Sequence, residues 1–384
     1  MKIVPRQIRE FCLGIFDGPH ATPKESIDGP VFLGIKNITC EGRLDFSEIR
    51  HVSEEDYPKW TRRVTPKSDD VVFTYEASLH RYAIIPEGFR GCLGRRVALI
   101  RPDPMLVDSR FLLYYFLSHE WKSVVEGTII SGATVDRISL EKFPELPIIL
   151  PPLSLQCKIA SIISAYDNLI ENNCRRMTLL EEAARQIYQE WFVRLRFPGH
   201  EHTPIVAGVP KDWEIAPLEE ALQLQRGFDL PVQSREDGIV PVYGSTGIIG
   251  FHNKAKVRGP GVITGRSGTL GEVHYINCDF WPLNTSLWVR EFRRVTPTFA
   301  FFLLRNMDLR QFNGGASVPT LDRKSIHRIE ILIPSSRFVS LFDDFALAIF
   351  DQIRCLTVWN EKLSNARDLL LPRLMNGEIA LPTS

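Results

Sequence analysis

The side chains best placed to do chemistry in this sequence are cations gathered in stretches that lack acids. Residues 57–68 hold Lys59, Arg62, Arg63 and Lys67 with no Asp or Glu among them. Residues 77–102 hold Arg81, Arg90, Arg95, Arg96 and Arg101 against Glu87 alone, with His80 beside them. Residues 238–271 carry Lys254, Lys256, Arg258 and Arg266 without an acid, among many glycines and close to Tyr243 and His252. Lysine and arginine neutralise phosphates, and glycine lets a backbone approach a ligand closely. Ser245, Thr246, Ser267 and Thr269 add small donors of the kind that contact phosphates or base edges. The chemistry this pattern suits is nucleic-acid binding, by Lys59, Arg62, Arg63, His80, Arg81, Arg95 and Arg96 in the first half of the chain. In the second half the corresponding candidates are Tyr243, Ser245, Thr246, Lys254, Lys256, Arg258 and Arg266. The plainer alternative is that each basic loop is solvated surface, and for Arg266 that it bonds loop carbonyls.

Catalytic motifs are missing. Gly261-Val262-Ile263-Thr264-Gly265-Arg266-Ser267 has the wrong spacing for G-x-x-x-x-G-K-[ST], and arginine stands where lysine is needed. There is no G-x-G-x-x-G after a strand, no G-x-S-x-G and no H-E-x-x-H. Leu150-Pro151-Pro152-Leu153 lacks both the polar residue and the aromatic of an amino-methyltransferase motif, and Asp17 with His20 has no nucleophile beside it. The expectation is a chain without catalysis, cofactor or metal of its own. Seven cysteines, none in a C-x-x-C pair, suit free thiols in a reducing cytosol. No apolar run approaches the roughly 18–20 residues of a membrane span, so a cytoplasmic protein without membrane contact is expected.

What must position these loops is a duplicated scaffold. The chain has 384 residues, enough for two or three domains, and its 46 basic and 46 acidic side chains cancel. Gly132-Ala133-Thr134-Val135 recurs 183 residues later as Gly315-Ala316-Ser317-Val318, and Ile148-Ile149-Leu150-Pro151 as Ile331-Leu332-Ile333-Pro334. Upstream the match is weaker: Asp108 to Leu117 resembles Thr296 to Arg305, and Pro30-Val31-Phe32 resembles Pro241-Val242-Tyr243. After each proline a heptad begins. Ile159, Tyr166, Asn173, Leu180 and Ile187 answer to Phe342, Ile349, Leu356, Leu363 and Leu370 at the same offset. A second set, Leu155, Ile162, Leu169, Arg176 and Ala183 with Phe338, Phe345, Gln352, Trp359 and Ala366, completes the expected seam. The first helix should run from about Leu153 to Phe192, about 60 Å at 1.5 Å per residue. The second should begin at a Ser335 or Ser336 cap and end at Pro372. Val71 to Tyr75, Val97 to Ile100, Val262 to Thr264 and Leu287 to Val289 read as strands, and Phe111 to Trp121 and Phe299 to Met307 as short helices. The fold class is therefore α+β, with two mixed α/β domains separated by two long coiled-coil helices in a pseudo-twofold internal repeat. The segments are 1–150, helix 151–197, linker 198–210, second domain 211–333, and helix with tail 334–384.

Several stretches carry a family resemblance: Phe16-Asp17-Gly18-Pro19-His20 with Thr22-Pro23, Tyr243 to Gly250, Gly265-Arg266-Ser267-Gly268-Thr269-Leu270-Gly271, and Gly132-Ala133-Thr134 leading to Leu150-Pro151-Pro152-Leu153. In these the sequence resembles the specificity subunit of type I restriction-modification systems, over roughly residues 8 to 380. The resemblance implies two target-recognition domains, each reading one half of a bipartite sequence in double-stranded DNA. It implies two conserved helices packed antiparallel, whose register sets the unread spacer. It also implies two methyltransferase subunits as partners, docked on helix faces near Arg175, Glu182 and Arg185, and two restriction/translocase subunits. S-adenosylmethionine, ATP and Mg are then bound by those partners. The alternatives are a specificity protein of another restriction architecture and a coiled-coil scaffold that does not touch DNA.

Overall fold

The computed structural model describes residues 5–129, 136–315, 318–375, 377–379 and 381. The chain divides into two compact units, one made of Met1–Asn172 with Trp359–Ser384 and the other of Asn173–Val358. In the first unit a four-stranded antiparallel sheet has the order Cys12–Asp17, Val97–Pro102, Val71–Thr74, Tyr82–Ile84. Val71-Val72-Phe73 is apolar on both faces because both are covered, and all three side chains are fully buried. A three-stranded sheet lies beside it, in which Val31-Phe32-Leu33 runs parallel to Gly91-Cys92-Leu93. The helix Ser109–Leu117 is capped by the Asp108 carboxylate, which accepts from Phe111 N–H at 2.8 Å. The expected single helix over Phe111 to Trp121 is two. Ser118 is extended and its hydroxyl accepts from Trp121 N–H, so it starts a second helix, His119–Glu126, where the first stops. Trp121 donates to Tyr82 Oη at 2.8 Å and packs on Phe116 and Phe143 in the core.

The second unit repeats this plan strand for strand. Its four-stranded sheet has the order Leu222–Arg226, Ser286–Phe292, Gly261–Gly265, Val273–Ile276. Val242-Tyr243 runs parallel to Trp281-Pro282 in the smaller sheet, where Val31 and Phe32 run in the first unit. Thr296 caps the helix Pro297–Asn306 as Asp108 caps its counterpart. Short terminal strands close both domains, Arg6–Gln7 on Pro147–Ile148 and Glu214–Pro217 on Glu330–Ile333. The duplication thus extends through the region where the sequence match was weak. Gly132-Ala133-Thr134-Val135, and Ala316-Ser317 of the second copy, lie outside the described residues.

The long helices are Leu153–Tyr188, followed by a π-helical turn over Gln189–Val193, and Ser336–Met375. Their packing is antiparallel within each unit. In the first, Arg367 donates to Asp167 at 2.6 Å and Asn360 to the Ile170 carbonyl at 3.5 Å. In the second, Thr357 meets Met177 while Tyr188 meets Phe342 edge to face. Ile159, Tyr166, Asn173, Leu180 and Ile187 face inward, as do Phe342, Ile349, Leu356, Leu363 and Leu370. The second expected set does so only in part: Leu155, Ile162, Phe338 and Ala366 are half-buried, and the first three pack against the cores. Leu169, Arg176, Phe345, Gln352 and Trp359 are exposed, and the row that interleaves is Ile163, Ile170, Met177, Ala184 with Ala346, Ile353, Asn360, Arg367, Leu374. It follows the first set by four residues rather than three. Pro372 does not end its helix. The last turn is held by buried Leu374 and Met375, and the stop is a Schellman closure: Glu378 N–H bonds the Arg373 carbonyl, Gly377 N–H bonds that of Leu374, and Gly377 takes φ +70°. Ser335 starts the helix through its carbonyl, which accepts from Phe338 N–H. None of the described helices is long and apolar enough to cross a membrane.

Candidate nucleic-acid interface

In the first unit two strand ends and one turn gather charge. Asp17 ends the strand Cys12–Asp17, and its carboxylate pairs with Arg63 and, at 3.0 Å, with His20 Nε2. Tyr75 and Glu76 follow the strand Val71–Thr74, and Arg95 and Arg96 form the turn before Val97–Pro102. Arg96 takes φ +70°, its carbonyl accepts from Tyr75 N–H, and its Nε lies 2.8 Å from Glu76 Oε1 without the alignment of a hydrogen bond. The Tyr75 hydroxyl is buried and has no hydrogen-bond partner among the described residues. Burial pushes its pKa up, with Asp17 and Glu76 adding to the effect and Arg137 and Arg63 opposing it. Arg95 and Arg96 also border a groove of about 630 Å³ lined by Lys36, Asn37, Glu48 and Arg50. Lys59 and Arg62 are exposed nearby in sequence, with no ion pair among the described residues.

The side chains of His80 and Arg81 are engaged elsewhere. Arg81 donates to the Ile38 carbonyl at 3.1 Å. His80, at φ +62°, is half-buried; burial holds its pKa down, with Glu126 opposing and Lys122 reinforcing the shift, so its surroundings belong to the helix His119–Glu126.

The second unit spends some candidates and presents others. Tyr243 is half-buried against Phe280 and His274, and burial raises its phenol pKa. Ser245 and Thr246 form the hairpin turn between Val240–Gly244 and Gly247–His252. That turn abuts the Gly265–Gly271 loop, since a Cβ on Gly268 would lie 3.8 Å from Ser245 Oγ. Gly265 admits no side chain at all, because a Cβ there would sit 2.0 Å from the Thr269 carbonyl oxygen. Arg266 is half-buried and donates to the Asn284 carbonyl at 3.2 Å, the structural reading weighed for it, with the rest of its guanidinium donors uncommitted among the described residues. The Lys256 ammonium lies over Phe228 and Trp281, 5.2 and 5.6 Å from their ring centres. Lys254 and Arg258 are exposed.

Sequence reasoning named none of Asp17, Glu76, Arg137, Arg226 and Asn284 among the candidates, although the structure sets the first three in the polar cluster of the first unit and the last two beside each other in the second. Asn284 bonds Asp229, which pairs with Arg226 at 3.6 Å. No basic run or glycine pattern marks these positions; only the sheet brings them together.

A family model for the type I restriction modification DNA specificity domain matches residues 43–182 and again 210–337. The chain belongs to that family. The two matches fall on the two copies of the repeat, and the first takes in most of the helix Leu153–Tyr188. Among specificity subunits, the MjaIX subunit of Methanocaldococcus jannaschii is 23% identical over 97% of this chain and 89% of its own length. The HindI subunit of Haemophilus influenzae is 20% identical over 86% of this chain and 90% of its own. The crystal structure of the type I S subunit from M. genitalium has the same fold, with TM-score 0.58 at 18% identity over 97% of this chain and 95% of that one. Arg185, expected to meet a partner, is bound to Glu182 at 2.6 and 2.7 Å, which with Gln186 holds the Glu182 carboxyl down at about 2.

Proposed function

We propose that this chain is the sequence-reading subunit of a type I restriction-modification enzyme, with each recognition domain reading one half of a bipartite DNA sequence. The observation that carries this reading is the repeat itself: one sheet plan occurs twice, a specificity-domain match falls on each copy, over residues 43–182 and 210–337, and each copy presents its own set of polar loop side chains. The subunit performs no chemistry. It acts with two methyltransferase subunits and two restriction/translocase subunits, and S-adenosylmethionine, ATP and Mg belong to those partners. The helices set the spacer, and their exposed apolar side chains suit the docking of methyltransferase. Leu179, Leu341, Phe345 and Leu347 in the second unit, and Leu169, Trp359 and Leu369 in the first, are 40–71% exposed.

Exchanging residues 1–150 for the same segment of a relative tests the reading. The methylome of a host carrying the chimera with its partners should change in one half of the motif and keep the other half and the spacer. A chimera that alters both halves, or neither, sinks the two-reader model.

A further inference from the structure

The backbone around the polar cluster is the same in both units, bond for bond. Gly18 N–H bonds the Val97 carbonyl as Gly227 N–H bonds that of Ser286, and Tyr75 N–H bonds Arg96 as Arg266 N–H bonds Thr285. Ile138 N–H closes on Tyr75 as Leu321 N–H closes on Arg266, and the bridge Glu76–Arg137 answers to Ser267–Thr320. A Cβ on Gly18 would strike the Leu93 and Gly94 carbonyls, and one on Gly227 those of Pro282 and Leu283. These bonds assign equivalent positions without reference to residue type. At six of them the first unit has Asp17, Tyr75, Glu76, Arg95, Arg96 and Arg137. The second has Arg226, Arg266, Ser267, Asn284, Thr285 and Thr320 in the same order. No position keeps its residue, and Asp17 of the first copy answers to Arg226 of the second.

We propose that this set of positions is where each unit discriminates its half-site, Asp17 and Glu76 accepting from exocyclic amino groups and Arg226 and Arg266 donating to base acceptors, while Tyr75, 1% exposed, packs the set rather than reading. The inference rests on the DNA-reading function and says which atoms do the reading. A carboxylate on a DNA-facing surface repels phosphate, so Asp17 and Glu76 do not serve general affinity. The duplex groups that a carboxylate recognises are the amino groups of cytosine and adenine, whereas arginine recognises the O6 and N7 acceptors of guanine. Arg63 and Arg96 sit against these acids, holding them in place and cancelling their charge. Donor capacity is left over in the second unit, since Arg266 has one N–H committed to a carbonyl. A frame kept while every side chain on it differs is what two readers of unlike half-sites require.

The test is methylation of a randomised DNA library by the full complex of this chain with its methyltransferase subunits, read by sequencing. Glu76→Gln adds donors to an acceptor and should relax discrimination at one base pair of the first half-site by about tenfold or more, with the second half-site unchanged. Asp17→Asn should act likewise in the first half-site, and Arg226→Gln in the second alone. Competition binding with the same half-site variants gives these ratios without turnover, so a variant complex that methylates poorly is still scored. First-half discrimination as sharp as wild type in both Glu76→Gln and Asp17→Asn overturns the inference, as does a change in both halves from either one. A wild-type complex that yields no bipartite motif overturns the DNA-reading function itself.

Discussion

His327 shows how a single side chain ties stability to pH. It is buried, and its Nε2 accepts from Leu224 N–H at 2.9 Å, a bond open only to the neutral ring. Burial first, and Arg323 next, hold its pKa below the usual histidine value. A group whose folded pKa is depressed stabilises the fold fully above its unfolded pKa, about 6.5, and loses that contribution as pH falls towards the folded value. Melting temperature should therefore drop between pH 7 and pH 5. In His327→Gln, whose amide oxygen still accepts the bond, the drop should be smaller; an unchanged slope would discharge His327. Some fall should persist, because burial also holds His80 and His274 down. Which loop side chains are already committed was not legible at this scale. Nothing in the sequence shows that Arg81 is taken by the Ile38 carbonyl while Lys59 is left exposed.

At the scale of elements, the start of the first long helix is bolted to the capped start of the helix Ser109–Leu117. Gln156 is 1% exposed; its amide oxygen accepts from Asp108 N–H at 3.0 Å, and its amide nitrogen donates to the Leu106 and Pro151 carbonyls. Gln156→Leu keeps the volume and strands a buried N–H and two carbonyls, so it should cost about 1–3 kcal/mol in denaturant unfolding. A loss under 0.5 kcal/mol would mean that water reaches those groups. The heptads made both long helices legible, and the side chains of their first set are buried or half-buried. The companion set was read one residue off because Leu169, Phe345 and Trp359 are apolar yet face outward, and periodicity alone does not separate a seam from a partner face. Pro372 misled for a related reason. Its lost N–H is a local effect, whereas the Leu374 and Met375 that hold the last turn are buried by long-range packing.

At the scale of the molecule, the sequence revealed a repeat but only half of its extent. Downstream of Gly132 the copies share residues. Upstream they share the order of strands and a network of backbone bonds, and backbone bonds leave no trace in residue identity. Asp17 and Arg226 were invisible as counterparts for that reason. The first unit is also discontinuous in sequence. Its core includes Leu374 and Met375, and its Asp167 is bound by Arg367, 200 residues away. Removing residues 359–384 should therefore destabilise the recognition domain at the other end of the chain, seen as protease cleavage within residues 5–129 at lower temperature. Unchanged cleavage there would show that the domain stands without its distant piece. During translation at about 5–20 residues per second, residues 1–172 emerge on the order of ten seconds or more before residue 359. The unit that starts first finishes last, and in that interval the apolar face meant for Leu374 and Met375 is open to chaperones.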